Sequence, residues 1–322
     1  MLTLETIRAM ALALGFERVA AADASPTDPP PEDAHPQARS LLADPRDVLP
    51  EARSVLICAM PYRPYRLRAG EASVDAYYVA GNRAHESARV LAGAISAAGA
   101  RAVMTASLRI KPLAVRAGLG RMGRNGLVSV NGLGTRVSLQ TIVTDLPLAG
   151  ESCAGGLDER CAACHACEAA CPTHALRGDG SLDIARCVRA QPESEPLPEA
   201  MRPFTGGSLL GCDLCQRCCP RNAAVPEADM PAGLAGALRL ERLLSGDYKD
   251  LIPWLGKNNA RKRRLMGRAA LAAANGGRGD LAALLEELTG EPAPLGEHAA
   301  WAAERLRQEE RQPLSSDAQT RL

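Results

Sequence analysis

The spacing of the cysteines constrains this chain more than anything else in it. Cys161, Cys164, Cys167 and Cys171, followed by Pro172, make a C-x2-C-x2-C-x3-C-P run. In that run three thiolates hold one 4Fe-4S cluster and the fourth reaches across to another, so a single run predicts a second cluster. The other half stands at Cys212, Cys215 and Cys219 before Pro220, and with the same spacing it lacks only its first cysteine, where Leu209 stands. Cys187, between the halves, is the spare thiol that fills that place. The spacing therefore assigns Cys161, Cys164, Cys167 and Cys219 to one cluster and Cys171, Cys187, Cys212 and Cys215 to the other. Cys218 is left over. A rival arrangement makes Cys218 a third x2-spaced ligand of the second cluster, but then no x3-spaced cysteine before the proline remains to cross over.

Zinc and disulfides are the other common uses of such a block. Structural zinc takes separated C-x2-C pairs and has no need of the x3-C-P step. Disulfides need an oxidising compartment, and Met1 to Gly15 has no basic region leading into a continuous apolar core, so a cytoplasmic protein is expected. No run approaches about 18 consecutive apolar residues, so no membrane association is expected. The formal net charge of +1 gives no global field for nucleic acid, which leaves any such contact to a local patch.

The rest of the chain reads as mixed helix and strand. Leu4, Ile7, Met10, Ala11 and Leu14 recur at helical spacing up to Gly15, which is placed to end the helix. Arg18 to Ala22 reads as a short strand, and the proline- and acid-rich stretch from Pro26 to Pro36 as a surface loop. Ser54 to Met60 is a continuous apolar run of strand length, the pattern of a strand buried on both faces, with Cys58 a core residue inside it. Asp75 to Ala98 is a helix stopped by Gly99, and Ala102 to Thr105 is another strand. Leu127 to Asn131 and Arg136 to Asp145 read as strands joined by the turn at Gly132 to Gly134. Beyond Pro220 the pattern is helical, at Asn259 to Asn275, Asp280 to Thr289 and His298 to Arg307, and short helices of this kind suit a helical-repeat unit. The expected fold class is α+β. It comprises an α/β domain over 1–150, a ferredoxin-like double-cluster domain over 151–225, a helical unit over 226–310 and a disordered tail over 311–322.

Gly118-x-Gly120-x-x-Gly123 mimics a dinucleotide fingerprint. The segment before it, Pro112 to Arg116, reads as helix where that fingerprint needs a strand, so nicotinamide or flavin binding is not expected.

With these residues laid out, the chain resembles the epoxyqueuosine reductase family, cobalamin-dependent iron-sulfur enzymes of queuosine-tRNA maturation, and more distantly the corrinoid reductive dehalogenases. The likeness runs from about Leu2 to Leu306. Its anchors are Leu49-Pro-Glu-Ala-Arg-Ser-Val-Leu56, Tyr62-Arg-Pro64, and Pro112-Leu-Ala114 leading to Gly118-Leu-Gly120-x-x-Gly123-Arg-Asn125. Further on they are Thr144-Asp-Leu-Pro-Leu148, the eight ligand cysteines, Gly211-Cys-Asp-x-Cys-Gln216, and His298-Ala-Ala-Trp301 in a HEAT-like unit. Where the family has Cys-Pro-Trp-Asn, this chain has Cys219-Pro-Arg-Asn222. The resemblance implies the same sharing of cysteines and a base-off cobalamin beside the clusters, lined by Tyr62, Arg63, Gly118, Gly120, Gly123, Asn125, Ser208 and Gly211. It also implies a monomer fed by an external donor of flavodoxin or ferredoxin type, with epoxyqueuosine in tRNA as the substrate.

One departure bears on the chemistry. The family carries an Asp-Ser-Ala-Pro motif whose aspartate is the proposed proton donor to the epoxide oxygen, and ungapped alignment puts Met104-Thr-Ala-Ser107 there. Methionine cannot donate a proton. Lys111 and Tyr78 are the expected replacements, with Arg109 and Tyr77 near them, since a tyrosine beside a cation is similar to the proton donor of the dehalogenases. Lys257, Arg261, Lys262, Arg263, Arg264 and Arg268 form the densest basic run and suit tRNA phosphates. The alternative function is an electron-transfer or reductive-activator protein for a corrinoid partner, with no substrate of its own.

Overall fold

A computed structural model describes residues 2–30, 39–148, 150, 155–192 and 194–311. In chain order the strands are β1 Arg18–Asp23, β2 Ser54–Pro61, β3 Ser73–Val74, β4 Ala102–Thr105, β5 Gly120–Met122, β6 Val128–Val130, β7 Val137–Thr144 and β8 Ser208–Leu210. The helices are α1 Leu4–Ala13, α2 Ala76–Ala97, α3 Ile110–Arg116, α4 Ala166–Ala169, α5 Leu214–Arg217 and α6 Ala232–Ala237, then α7 Leu240–Leu244, α8 Ile252–Leu255, α9 Lys262–Asn275, α10 Ala282–Leu288 and α11 Leu295–Arg311. They belong to two compact units, each assembled from separated stretches of chain. The first is Met1–Pro64, Val79–Ile184 and Leu214–Pro226; the second is Tyr65–Tyr78, Ala185–Asp213 and Glu227–Leu322.

The first unit is built on a sheet of order β1-β2-β7-β4 in which every pairing is antiparallel. Side chains alternate across a strand, and β2 shows what its apolar run is for. Val55, Ile57 and Ala59 enter a core with Leu113, Ala114 and Val128. Leu56, Cys58 and Met60 enter another with Ile7, Phe16, Leu91 and Ile95. Burial on both faces thus comes from an antiparallel sheet with α1 and α2 on one side and α3 with the β5-β6 hairpin on the other. Each fully buried aliphatic side chain there contributes roughly 1.5–3 kcal/mol. The segments around Gly132–Gly134 are strands, as their pattern predicts, but they do not form a ladder together. Instead β6 pairs with β5, while β7 pairs with β2 and β4. Of the loop expected over Pro26 to Pro36, residues 31–36 lie outside the described residues.

In the second unit β3 runs parallel to β8, with Ser73 opposite Ser208 and Val74 opposite Leu210. The helices pack through α9, whose Leu265, Ala269, Ala270 and Leu271 are buried, against α7 and α11, with α10 also on α11. Gly267 lets α11 come close, since a Cβ there would lie 2.9 Å from His298 Nδ1. His298 Nε2 accepts the Leu197 amide at 2.9 Å. The α11 helix continues to Arg311, so the start of the expected polar tail is helical, and 312–322 lie outside the described residues. Among the described residues no helix is long and apolar enough to cross a membrane.

Candidate functional site

The cysteine block begins with a cap. Asp158 accepts the Arg160 amide at 3.0 Å and starts the turn Glu159–Cys161, after which Cys164 N bonds Cys161 O at 3.2 Å. Cys167 lies on α4, which packs against α5, the helix that leads to Cys218 and Cys219. Cys219 is extended, as a residue before proline must be, and Pro220 opens the turn Pro220–Asn222. Cys161, Cys164, Cys167 and Cys219 all belong to the first unit. Burial, then the charge of Cys218 and Glu168, pushes the Cys167 thiol up to about 11. Burial raises Cys219 as well, with Cys161 and Cys164 adding to it. A bound metal removes the cost of burying such thiols by taking them as thiolates. Among the described residues no three His, Cys, Asp or Glu side chains are placed to hold a single metal ion. A four-iron cluster makes a different demand, one thiolate for each iron, and the donor set fits it.

Cys171 also lies in the first unit, with Cys215, while Cys187 and Cys212 lie in the second. The Cys171 sulfur accepts the Ala175 amide at 3.3 Å and stands 3.5 Å from Thr173 Oγ1. Burial works to raise this thiol, but the bonds from Thr173 and from nearby backbone amides outweigh it and hold it below the usual range. Amides aimed at sulfur are one means of setting a cluster's potential. Cys153 lies outside the described residues, and Cys58 is buried in the core and pushed up to about 12, so it is inert.

A buried network anchors the Cys219 end. Asn222 Nδ2 donates to Gln216 O at 2.8 Å and to Thr135 Oγ1 at 2.9 Å, and its Oδ1 accepts the Thr135 amide at 2.9 Å. Gln216 Nε2 donates to Thr135 O, and Gln216 Oε1 accepts the Tyr62 hydroxyl, both at 3.0 Å. Gly134, at φ +68°, is required, because a Cβ there would meet Asn222 Oδ1 at 2.4 Å.

Charge gathers around the same thiols. Arg124 Nε donates to Glu168 Oε1 at 2.6 Å, within the electrostatic reach of Cys167 and Cys161. The Glu168 bond raises the Arg124 guanidinium, and the Arg124 bond lowers the Glu168 carboxyl. Arg221 Nε donates to Ser129 Oγ at 3.0 Å, and its Nη2 pairs with Asp158 at 3.4 Å. Sequence reasoning missed these ion pairs. The signal for one of them was in the run itself, where Glu168 directly follows Cys167.

The second unit holds the tyrosines. Tyr77 and Tyr78 meet edge to face at 5.7 Å. The Arg189 guanidinium lies 4.5 Å from the Tyr77 ring centre and 5.6 Å from that of Tyr78. Arg189 Nη1 stands 4.0 Å from the buried Asp75 carboxylate, whose Oδ1 accepts the Tyr77 amide at 2.9 Å. Gly211 closes the cluster at φ +87°, and a Cβ there would lie 2.7 Å from Asp75 and 2.9 Å from Tyr78. A tyrosine beside a cation is therefore present, and the cation is Arg189. Lys111, in the first unit, donates to Gly126 O at 2.7 Å. Arg109 is part-buried, with Nη1 lacking a hydrogen bond. Met104 lies on β4 with its side chain against the core of Ile7 and Leu91.

The residues expected to line a cobalamin are engaged within the chain itself. A Cβ on Gly120 would lie 2.2 Å from Ser129 O and one on Gly123 2.8 Å from Asn125 Oδ1, so both glycines serve the chain's own hairpin. Gly118 ends α3 at φ +69°, with its amide on Val115 O. The loop therefore runs from helix to strand, the reverse of a dinucleotide fingerprint. Asn125 Oδ1 accepts the Leu127 amide, Tyr62 is bonded to Gln216, and Ser208 Oγ donates to the Leu210 and Gly211 carbonyls. Arg63 is exposed.

The family of the 4Fe-4S double cluster binding domain matches residues 160–222. An epoxyqueuosine reductase of Gloeobacter violaceus is 32% identical over 251 residues, 68% of this chain and 76% of that protein. One of Alicycliphilus denitrificans is 29% identical over 81% of this chain and 82% of its own length. With the Staphylococcus aureus enzyme, 29% identical, the chain spans about half the relative's length, 52%. A crystal structure of selenomethionine-labelled epoxyqueuosine reductase superposes at a TM-score of 0.77, with 22% identity, over 94% of this chain and 90% of that one. A structure of epoxyqueuosine reductase with an epoxyqueuosine-modified tRNA-Tyr stem loop gives 0.75, with 20% identity, over 98% and 95%. At these identities the likeness shows the fold.

Proposed function

The chain belongs to the epoxyqueuosine reductase family, and from that premise we propose that it is an iron-sulfur reductase acting on an epoxide, with epoxyqueuosine in tRNA as substrate. The observation that carries this reading is the gathering of Cys161, Cys164, Cys167 and Cys219 in one unit, inside the stretch that matches a double-cluster domain. Removing an epoxide oxygen as water takes two electrons and two protons. The clusters, when bound, supply electrons one at a time. The chain's own residues have the remaining tasks. Arg124 holds a positive charge beside Cys161 and Cys167, and the amides at Cys171 bond its sulfur.

The proton is assigned to Tyr78. Its neighbour Arg189 sets a cation 5.6 Å from the ring centre, and the Asp75 carboxylate stands 4.0 Å from Arg189. Lys111 is a positioning residue for the glycine loop through Gly126. Cobalamin is part of the proposal on the family's account alone, and cobalamin titration followed by absorption spectroscopy tests it separately. An external donor of flavodoxin or ferredoxin type, a monomer, a cytoplasmic location and a HEAT-like arrangement of 226–310 belong to the same proposal.

The partner is proposed to be tRNA, as in the stem-loop structure of the relative. Lys257, Arg261, Lys262 and Arg263 are exposed, so their charge is open to phosphate. Replacing Arg261, Lys262 and Arg263 by alanine should reduce the salt dependence of stem-loop binding by roughly one unit of slope for each phosphate left without its cation.

The test of function is anaerobic reconstitution, chemical reduction and turnover of an epoxyqueuosine-containing stem loop read by mass spectrometry. Tyr78→Phe should lower turnover by about 10²–10⁴-fold, the usual worth of general acid help. Met104→Leu should leave it unchanged, since that side chain is in the core. Reducible clusters with no turnover of this substrate would favour the electron-transfer alternative.

A further inference from the structure

Arg221 stands where the family has tryptophan, and the proposed reaction gives it no task. Its guanidinium joins two separated segments. Nε donates to the hydroxyl of the buried Ser129 on β6 at 3.0 Å, and Nη2 pairs with Asp158 Oδ2 at 3.4 Å. Asp158 is itself buried, and its other carboxylate oxygen accepts the Arg160 amide at 3.0 Å, at the head of the turn Glu159–Cys161. The Asp158 backbone holds the same turn, since its carbonyl accepts the Cys161 amide at 2.8 Å and its amide donates to Met122 O on β5 at 2.7 Å. Arg221 belongs to the turn Pro220–Asn222, which Cys219 caps and which closes with the Asn222 amide on Cys219 O at 2.9 Å. The ion pair thus fastens the turn that carries Cys161 to the turn that follows Cys219, and both to the β5-β6 hairpin. All of these residues belong to the first unit. A tryptophan in that place would offer one N–H and no charge, so it could not hold the serine and the carboxylate together.

We propose that Arg221 and Asp158 form a latch that holds the Cys161 and Cys219 turns together whether or not a cluster is present, which makes Arg221 a positioning residue for the first cluster. Removing either partner leaves the other charge largely buried and without its counter-ion, so the two turns lose their common fastening while each keeps its own backbone bonds. The inference rests on the assignment of Cys161, Cys164, Cys167 and Cys219 to one cluster.

The experiment takes two readings on the full chain. With iron removed, wild type treated with dibromobimane should show a cross-link between Cys161 and Cys219 in its peptide map, and the yield should fall several-fold in Arg221→Gln and in Asp158→Asn while circular dichroism stays native. From the anaerobically reconstituted protein, a ferrous chelator should extract iron about 10–100-fold faster in either variant, the worth of one charge-assisted hydrogen bond. The double variant should be no faster than the singles, because one latch can be lost only once. Arg221→Lys keeps the charge and should recover both readings in part. Should Asp158→Asn not fold, Arg221→Gln against Arg221→Lys carries the comparison. No cross-link in iron-free wild type, an unchanged yield in the variants, additive losses in the double variant, or Arg221→Lys behaving as Arg221→Gln overturns the latch. Cys161→Ala and Cys219→Ala that each keep full iron overturn instead the ligand assignment beneath.

Discussion

His298 has no room to become charged. It is buried between Leu197 and Gly267, and burial, then the charges of Arg268 and Arg202, pushes it down to about 3 from an ordinary 6.5. As the pH falls below 6.5 the unfolded chain takes up a proton that the folded chain refuses until about 3. Stability from this residue is therefore full above that window and declines as the pH drops through it. His298→Gln, whose amide oxygen can still accept the Leu197 amide, should flatten the acid side of the denaturant-midpoint profile; an unchanged profile would show that carboxylates alone set it. Single residues also mark the limit of sequence reading. The cysteines were legible because cluster chemistry fixes their spacing, and the Tyr77-Tyr78 pair because it stands out in an aromatic-poor chain. Their partners were not, since Tyr62 bonds Gln216 across 154 positions and Arg189 reaches Tyr77 from another segment.

At the scale of elements, a continuous apolar run made β2 readable and helical spacing up to a glycine did so for α1 and α2, whereas pairing was not readable. The turn at Gly132–Gly134 joins strands that go to different sheets, because β7 fills the gap between β2 and β4. The β5-β6 hairpin depends on Gly120, and Gly120→Ala should destabilise the protein by at least about 1–3 kcal/mol, as overpacking does, which a urea midpoint would read. The loop after β5 carries Arg124 to α4. A cation beside the first ligand set favours the more negative, reduced cluster, so Arg124→Gln should lower its reduction potential in a titration followed by electron paramagnetic resonance. Glu168→Gln removes the opposing charge and should move the potential the other way. Shifts of the same sign in both variants would mean that the pair acts only through packing.

For the whole molecule, the eight cysteines assigned as ligands by spacing fall in both units, Cys187 and Cys212 in the second and the other six in the first, and the segments of the two units interleave along the chain. Cys187→Ala should cost one cluster and leave the other, so the protein should fall from about eight irons toward four. Retention of both clusters would break the assignment of Cys187. The interleaving also sets an order of events during synthesis. The Tyr62 hydroxyl and the Thr135 amide and carbonyl are buried, and their partners are on Gln216 and Asn222. Until residues 214–226 have left the ribosome, these polar groups of the first unit lack the partners they have in the fold. A gene shortened to residues 1–150, however well it matches a domain on paper, should yield a polypeptide that proteases clear quickly, because its missing polar partners are more than sixty positions downstream of the cut.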